Sequence, residues 1–240
     1  MSSKDMSNSN WNAAFVGGGV CSIIGLGEYS VVKEKMLFNS FSGASIGAVI
    51  AVCLAAGKEP EEVRDFLAEN VSVFCKFIVG NYKIKRKVNN FLGNELYRNL
   101  QNECIVSITP IRVRKNFPTL ITRENAGKLT AGKVAALSAS LPGLFLPGIV
   151  RLNGKISFVL DGGILFNPPL NETKENFLFT FIRTNKTNKK PTKLSLKKLD
   201  QEKKATKVIK AKTTLGTLGC SSDVMNGYNL GVLEAINNGF

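Results

Sequence analysis

A serine between two glycines is the residue of this sequence with the clearest capacity for chemistry. Residues 43–47 read Gly-Ala-Ser-Ile-Gly, which matches the pattern G-x-S-x-G. An apolar run at 37–42 that predicts a strand precedes it, and an apolar helical segment that ends at Gly57 follows it. In this context the motif predicts a sharp strand-to-helix turn that exposes the hydroxyl of Ser45 as a nucleophile. An ordinary tight turn is the alternative, so the chemistry depends on a partner base.

The chain contains no histidine, which excludes every Ser-His-Asp mechanism and every histidine-based metal site. A serine hydroxyl is a weak nucleophile near neutral pH, so a carboxylate would have to accept its proton directly. Asp161 is the best candidate, because it follows an apolar run at 156–160 that predicts a buried strand and precedes Gly162 and Gly163. The two glycines allow a backbone or substrate to approach closely. Asp-Gly is also a common turn dipeptide, and alone it would indicate only a turn.

A glycine triplet is the third candidate element, formed by Gly17, Gly18 and Gly19 after the first apolar run. Neither a dinucleotide-binding fingerprint nor a Walker loop can be completed from the residues around it. The backbone N–H groups of the triplet can instead stabilise a developing oxyanion, together with the N–H of Ile46 at the start of the following helix. A plain turn remains the alternative.

The pattern of apolar runs separated by glycine turns predicts the elements that must position these residues. We expect strands over 13–16, 37–42, 104–108, 119–122, 156–160 and 176–182, and helices over 24–36, 60–70, 132–139 and 224–236, in addition to the one that ends at Gly57. The region 71–100 predicts mostly helix. Alternation of strand, turn and helix is typical of an α/β fold with a largely parallel central sheet, whose active sites lie at the carboxyl ends of the strands.

The formal charge of +14 predicts a negatively charged partner. Much of the excess lies at 185–212, which we interpret as an exposed Lys-rich loop or flap, and a smaller cluster comprises Lys83, Lys85, Arg86 and Lys87. Contact with an anionic membrane surface and a merely solvated loop are equally compatible with this segment. Nucleic acid ranks below both, because few aromatic residues are interleaved with the lysines.

The length of 240 residues and a hydrophobic content of 44% predict one domain over residues 11–240. Residues 1–10 are polar and predict a disordered N-terminal segment without a secretory signal. The longest apolar stretch, 43–57, is too short to span a membrane. The five cysteines have no metal-ligand spacing and are expected to be reduced thiols. We therefore expect a protein that is cytoplasmic or peripheral to an intracellular membrane.

The order of the three motifs resembles the patatin-like phospholipase family. Two further stretches strengthen the resemblance, Ser-Ala-Ser-Leu-Pro-Gly-Leu-Phe-Leu-Pro at 138–147 and Asn-Pro-Pro at 167–169 after the Asp-Gly-Gly. The resemblance covers residues 13–170 and implies a three-layer α/β/α fold, a lipid or phospholipid substrate, an acyl-enzyme intermediate, and no metal or cofactor. It implies the following site residues: Ser45 as nucleophile, Asp161 as base, Gly17, Gly18, Gly19 and Ile46 as the oxyanion hole, and Gly43, Gly47, Gly162 and Gly163 as supports of the motifs.

The sequence departs from the family after the glycine triplet. Family members usually have Arg or Lys followed by Gly there, whereas this chain has Val20, Cys21 and Ser22. This departure favours one alternative, a patatin-like fold with weak or no catalysis that serves as a lipid-binding or interaction module. A basic nucleic-acid-binding protein is the second alternative.

Overall fold

Eight strands of the described residues form one mixed sheet in the computed structural model, which describes residues 10–74, 80–111, 119–152, 155–165, 167–183, 201–215 and 219–240. The strands are β1 Trp11–Phe15, β2 Phe38–Gly43, β3 Glu103–Pro110, β4 Thr119–Ile121, β5 Gly148–Leu152, β6 Lys155–Asp161, β7 Glu175–Arg183 and β8 Lys207–Thr213. The helices are α1 Ile23–Val32, α2 Ile46–Ala55, α3 Pro60–Phe74, α4 Gly80–Phe91, α5 Ala131–Ser138 and α6 Ser221–Asn237.

The sheet has the strand order β5-β6-β3-β2-β1-β7-β8, and β4 pairs with β3 outside this path. Strands β3, β2, β1, β7 and β8 are mutually parallel, whereas β4, β5 and β6 are added in antiparallel pairings. The predicted α/β fold with a largely parallel sheet is therefore confirmed. The parallel strands are joined by helical crossovers, β1 to β2 through α1 and β2 to β3 through α2, α3 and α4.

Alternating side chains of the central strands pack against both faces of the sheet. Phe15 and Phe179 point to one face, where they belong to the main core together with residues of α1, α2 and α5. Their neighbours Ala14 and Leu178 point to the other face and pack with Leu170, which follows β6 in the chain. Because strand side chains alternate, this arrangement buries the central strands on both sides.

The strand that carries Asp161 differs from the prediction in one respect. We expected a buried strand, but Ile156 and Phe158 of β6 are 65% and 54% exposed, whereas Val159 and Asp161 are buried. The reason is that β6 runs antiparallel to β3 and forms a hairpin with β5, so that only one face of the hairpin is covered by the core. The apolar run at 156–160 concealed this alternation, because its outward residues are apolar as well.

The Lys-rich segment also differs from the prediction of an exposed loop at 185–212. Its last part forms β8, in which Ile209, Ala211 and Thr213 are buried against the sheet while the lysines between them point outward. The sequence prediction failed here because the lysines outnumber the apolar residues with which they alternate. Residues 184–200 lie outside the described residues, as do residues 1–9 of the predicted N-terminal segment.

The helical predictions hold with shifted ends. α1 begins at Ile23 after a 3-10 turn at Gly19–Ser22, and α3 extends to Phe74, beyond the predicted end at residue 70. Within 71–100, α4 accounts for the predicted helix. None of the helices in the described ranges is both long and apolar enough to cross a bilayer.

Candidate active site

Ser45 stands between the last residue of β2 and the first turn of α2, in a strained backbone conformation with φ 56° and ψ −129°. Positive φ is costly for a residue with a side chain and is typical of functional turns. A Cβ atom on Gly47 would clash with the carbonyl oxygen of Phe15, and one on Gly43 would clash with that of Gly47. Close packing of strand and helix therefore requires both glycines of the motif, and Ser45 itself is half-buried.

A second serine holds this turn in place. The Ser45 N–H donates to Oγ of Ser138 at 2.9 Å, and the Ser138 hydroxyl donates to the carbonyl of Ser107 at 2.8 Å. Ser138 is the last residue of α5 and Ser107 lies in β3. The turn is thus tied to both a helix and a neighbouring strand. Sequence reasoning placed Ser138 within a family motif but assigned it no role, because a buried serine at a helix end has no distinctive pattern.

Asp161 reaches the same edge of the sheet from the opposite direction. The hairpin of β5 and β6 projects beyond the carboxyl end of β3, and β6 runs back until Asp161 pairs with Ile108. The backbone of Asp161 is fixed on both sides, since its N–H donates to the Ser140 carbonyl at 2.9 Å and its carbonyl accepts from Thr109 Oγ1 at 3.0 Å. A Cβ on Gly162 would clash with the carbonyl of Ser107, so this glycine allows the close approach.

The Asp161 carboxyl is 2% exposed and lies beside Ser45. Its Oδ1 accepts the N–H of Gly163 at 2.8 Å. The Ser45 hydroxyl lies within hydrogen-bonding reach of the carboxyl. The carboxyl oxygen Oδ2 accepts no hydrogen bond of standard geometry. The structure therefore brings together the two side chains that sequence analysis selected, 116 positions apart along the chain.

Burial changes the acidity of this carboxyl. Desolvation raises the pKa of Asp161 from 3.8 to about 6, and the hydrogen bonds from Ser45 and Gly163 oppose the increase without cancelling it. A carboxylate with this pKa is a stronger base than an exposed aspartate and is still ionised at neutral pH. Its charge is not neutralised by an ion pair with any described residue.

The glycine triplet lies against the Ser45 turn. A Cβ on Gly17 would stand 2.7 Å from the carbonyl oxygen of Ala44 and 2.8 Å from Cβ of Ser45, and Gly19 has a φ of 66°. Both positions therefore require glycine, Gly17 because the turn packs closely against it and Gly19 because of its positive φ. The N–H of Ile46 stands at the amino end of α2, which follows Ser45 directly.

One amide of the predicted oxyanion hole is already occupied. The N–H of Gly17 donates to Oδ1 of Asn167 at 2.6 Å, and Nδ2 of Asn167 donates back to the carbonyl of Gly17 at 3.1 Å. Asn167 thus clamps the first glycine of the triplet from the segment that follows Asp161. The sequence contained this asparagine in the Asn-Pro-Pro stretch, but nothing in its spacing indicated which backbone it would bind.

A buried polar network anchors the segment after Asn167 to the sheet. Ser42, at the end of β2, donates from Oγ to the carbonyl of Pro169 at 2.6 Å. Asn12 of β1 donates from Nδ2 to Ser42 Oγ at 2.9 Å and to Asn176 Oδ1 at 2.8 Å. The segment that carries the clamp on Gly17 is therefore hydrogen-bonded to a network of side chains from three parallel strands.

The site combines the hydroxyl of a half-buried serine on a strained turn, a buried carboxylate with a raised pKa and a glycine-lined backbone. Such a set can carry out nucleophilic attack on a carbonyl with the carboxylate as base. Among the described residues, no group of three or more Cys, Asp or Glu side chains could hold a metal ion.

Three comparisons with known proteins bear on this arrangement. The sequence model of the patatin-like phospholipase family matches residues 14–174. An uncharacterized protein YqhO of Bacillus subtilis (strain 168) is 25% identical over 191 residues, which cover 66% of this chain and 65% of that protein.

Two solved structures have a similar fold. VipD from Legionella pneumophila has a TM-score of 0.59 and 15% identity, with 95% of this chain and 66% of that chain covered. The type III effector protein ExoU has a TM-score of 0.52 and 11% identity, with 97% of this chain and 53% of that chain covered. The chain spans less than two thirds of the length of each of these three proteins.

The family match includes Ser45, Asp161 and Asn167, and it extends over more than half of the chain. Members of this family are lipid acyl hydrolases. The chain belongs to the patatin-like phospholipase family.

Proposed function

We propose that the chain hydrolyses fatty acyl esters of lipids, with Ser45 as the nucleophile and Asp161 as the base. The observation that carries this proposal is the juxtaposition of a hydroxyl on a strained turn and a buried carboxyl whose pKa burial raises to about 6. The family match supports a lipid ester as the substrate.

In the proposed mechanism, Asp161 accepts the proton of the Ser45 hydroxyl as the Ser45 oxygen attacks the ester carbonyl. The tetrahedral oxyanion collapses, the alcohol leaves with a proton from Asp161, and an acyl-enzyme remains. Asp161 then takes a proton from water, which attacks the acyl-enzyme, and returns that proton to the Ser45 oxygen as the fatty acid is released. Each step moves one proton between the carboxyl and an oxygen, which is the task that a base with a pKa near 6 performs well.

The proposed oxyanion hole uses the backbone N–H groups of Gly18, Gly19 and Ile46. The N–H of Gly17 already donates to Asn167. Gly17 would contribute only if this hydrogen bond broke and the N–H then donated to the oxyanion, because one N–H cannot make two full hydrogen bonds. The role of Gly17 remains a prediction, as do those of the other three amides.

We also propose that the protein acts peripherally at an anionic membrane surface, where its substrate lipids lie. The net charge of +14 supports this proposal, since each lysine or arginine near an anionic surface contributes about 1 kcal/mol. The Lys-rich segment is the first candidate for this contact. In its described part, Lys203 and Lys204 are exposed and Lys212 points outward from β8.

The test is product analysis on a panel of phospholipids and neutral lipids. Wild type is expected to release fatty acids from at least one lipid class, and Asp161→Asn is expected to lose about 10³-fold in rate because it cannot accept the proton. Asp65→Asn is the matched control, since Asp65 is exposed and its ion-pair partner among the described residues is Arg64. Equal rates for Asp161→Asn and wild type would overturn the assignment of the base.

A catalytically weak lipid-binding module is the second candidate function. Two observations favour it, the residues Val20, Cys21 and Ser22 after the triplet and the occupied N–H of Gly17. No hydrolysis of any lipid by folded wild-type protein that still binds the same lipids would select this candidate.

A further inference from the structure

Large apolar side chains are exposed in one region beside the candidate active site. Among the described residues, six of the eleven exposed large apolar side chains lie on α4, the end of β3 and the β5–β6 hairpin with the loop before it. We call this surface the hairpin face. Its apolar residues are Tyr82, Ile111, Leu146, Ile149, Ile156 and Phe158.

The strand register places part of this set in a continuous row. Ile149 of β5 is the direct cross-strand partner of Phe158 of β6. The N–H of Ile111, just after β3, donates to the carbonyl of Phe158 at 2.8 Å. The three side chains, 46% to 54% exposed, therefore extend across three neighbouring strands at one end of the sheet. A contiguous exposed apolar surface of this kind indicates a binding surface.

The surroundings of the hairpin face are basic. Helices α4 and α5 and strand β5 contain no Asp or Glu, and the only acid of β6 is the buried Asp161. Six cations lie on β5 and on the helices next to the hairpin, and none of them pairs with a carboxylate of the described residues. They are Lys83, Lys85, Arg86, Lys87, Lys133 and Arg151. Exposed apolar side chains with unpaired cations on the neighbouring elements complement a surface that is anionic outside and apolar within.

A cavity of about 320 Å³ opens at this face between α4, α5 and the start of β5. Its lining includes two lysines, Lys85 and Lys133, and the apolar side chains of Leu146 and Ile149. Burial, and then the nearby charge of Lys85, lowers the pKa of Lys133. Two cations without a counter-ion in a cavity form a setting in which a bound anion would be stabilised.

The cavity also holds an unused hydrogen-bond acceptor. Nδ2 of Asn81 donates to Ser140 Oγ at 3.0 Å and to the Leu146 carbonyl at 2.6 Å, which leaves its buried Oδ1 without a partner. The wall of the cavity thus contains two unpaired cations and a buried side chain with an unsatisfied acceptor.

The hairpin face is adjacent to the proposed dyad. Ser140, which lines the cavity, accepts the backbone N–H of Asp161 through its carbonyl at 2.9 Å. Phe158 precedes Asp161 by three residues on β6, a separation of roughly 10 Å. A headgroup held in the cavity would therefore lie close to the backbone of Asp161.

We propose that the hairpin face docks on an anionic phospholipid surface and that Lys85 and Lys133 bind a headgroup phosphate in the cavity. This inference rests on the proposed lipid substrate and deepens it. It adds a specific contact beside the dyad to the charge attraction proposed for the Lys-rich segment. Phosphatidylglycerol supplies the chemistry that the cavity requires, a phosphate with neighbouring hydroxyl groups.

The first experiment measures vesicle flotation in a Ser45→Ala background, so that hydrolysis plays no part in the readout. Binding to phosphatidylcholine–phosphatidylglycerol vesicles is expected to exceed binding to phosphatidylcholine vesicles. Lys85→Ala/Lys133→Ala is expected to weaken the anionic binding about 30-fold, at about 1 kcal/mol for each charge.

Lys35→Ala/Lys128→Ala is the matched control. It removes the same net charge from exposed positions after α1 and before α5, outside the lining of the cavity, and should change binding by less than about twofold. Equal losses in the two double variants would overturn the proposal in favour of general charge attraction.

A fluorescent reporter tests the orientation of the bound protein. Leu146 and Leu37 are 60% and 61% exposed at opposite edges of the sheet, and the single native tryptophan, Trp11, is buried. Leu146→Trp is expected to shift its emission to the blue with anionic vesicles, while Leu37→Trp is not. A shift of Leu37→Trp alone would contradict the proposal.

Two further outcomes separate this inference from the proposed hydrolysis. Vesicle binding that depends on Lys85 and Lys133, without lipid hydrolysis by wild type, would support the docking surface and reject the enzyme. A gel shift of duplex DNA that depends on the same lysines, with no binding to anionic vesicles, would overturn the docking surface whatever the enzyme does.

Discussion

The Ser45 turn and the Asp161 hairpin reach the same edge of the sheet but are built differently. Ser45 lies at the junction of a parallel strand and its helix, where Gly43 and Gly47 permit close packing and the backbone itself is strained. Asp161 arrives on an antiparallel hairpin, of which only one face is covered by the core. Backbone geometry therefore positions the nucleophile, whereas burial raises the pKa of the base.

This difference separates two physical contributions within one site. The turn contributes orientation, since Ser138 holds the Ser45 N–H and the two glycines hold the strand against the helix. The hairpin contributes basicity, because desolvation of Asp161 raises its pKa to about 6. Substitutions at the turn should change the rate of catalysis without moving the pH at which activity declines. Substitutions at the hairpin should move that pH.

The largest effect on stability is expected at the hairpin, from Asp161→Asn. The folded pKa of about 6 lies above the ordinary value of 3.8, so the folded state binds more protons and loses stability as pH rises from about 4 to about 6. Asparagine avoids this loss. The free energy of unfolding at pH 7 is expected to rise by about 3 kcal/mol, and the difference should vanish below about pH 4.

Urea unfolding of wild type and Asp161→Asn at pH 4 and pH 7 measures this difference. Asp65→Asn is again the control, because Asp65 is exposed and its pKa is lowered by Arg64, so that removing its charge should give no gain. A lower free energy of unfolding for Asp161→Asn than for wild type at pH 7 would show that the carboxylate stabilises the fold. It would contradict the view that burial of Asp161 costs stability.

A smaller effect is expected at the turn, from Ser138→Ala. The change removes the acceptor of the Ser45 N–H and the donor to the Ser107 carbonyl, which should lower kcat about tenfold and the free energy of unfolding by about 1 kcal/mol. The pH at which activity declines should not move. Steady-state kinetics across pH checks both statements.

Ser30→Ala provides the comparison for this change, since the Ser30 hydroxyl on α1 bonds to the Gly27 carbonyl and to Tyr228 rather than to the Ser45 turn. A shift of the pH dependence in Ser138→Ala, or an equal loss of kcat in Ser30→Ala, would contradict the assignment of orientation to the turn.

The sequence predicted the parts of the site that depend on local backbone chemistry. The Ser45 turn was recognisable because strand, glycines and helix follow one another within a few residues, and the absence of histidine directed attention to Asp161. Its strand was predicted correctly, but not its antiparallel pairing or its exposed face, because pairing partners are distant in the chain. The contacts of Ser138 and Asn167 were missed for the same reason.

The most direct test of the account is the rate at which a fluorophosphonate probe labels the protein as a function of pH. We expect wild-type labelling to rise with pH and to level off above about 6, where Asp161 is ionised. Asp161→Asn should label far more slowly, and Ser45→Ala not at all. Undiminished labelling of Ser45→Ala, or a wild-type rate with no inflection near pH 6, would contradict the dyad.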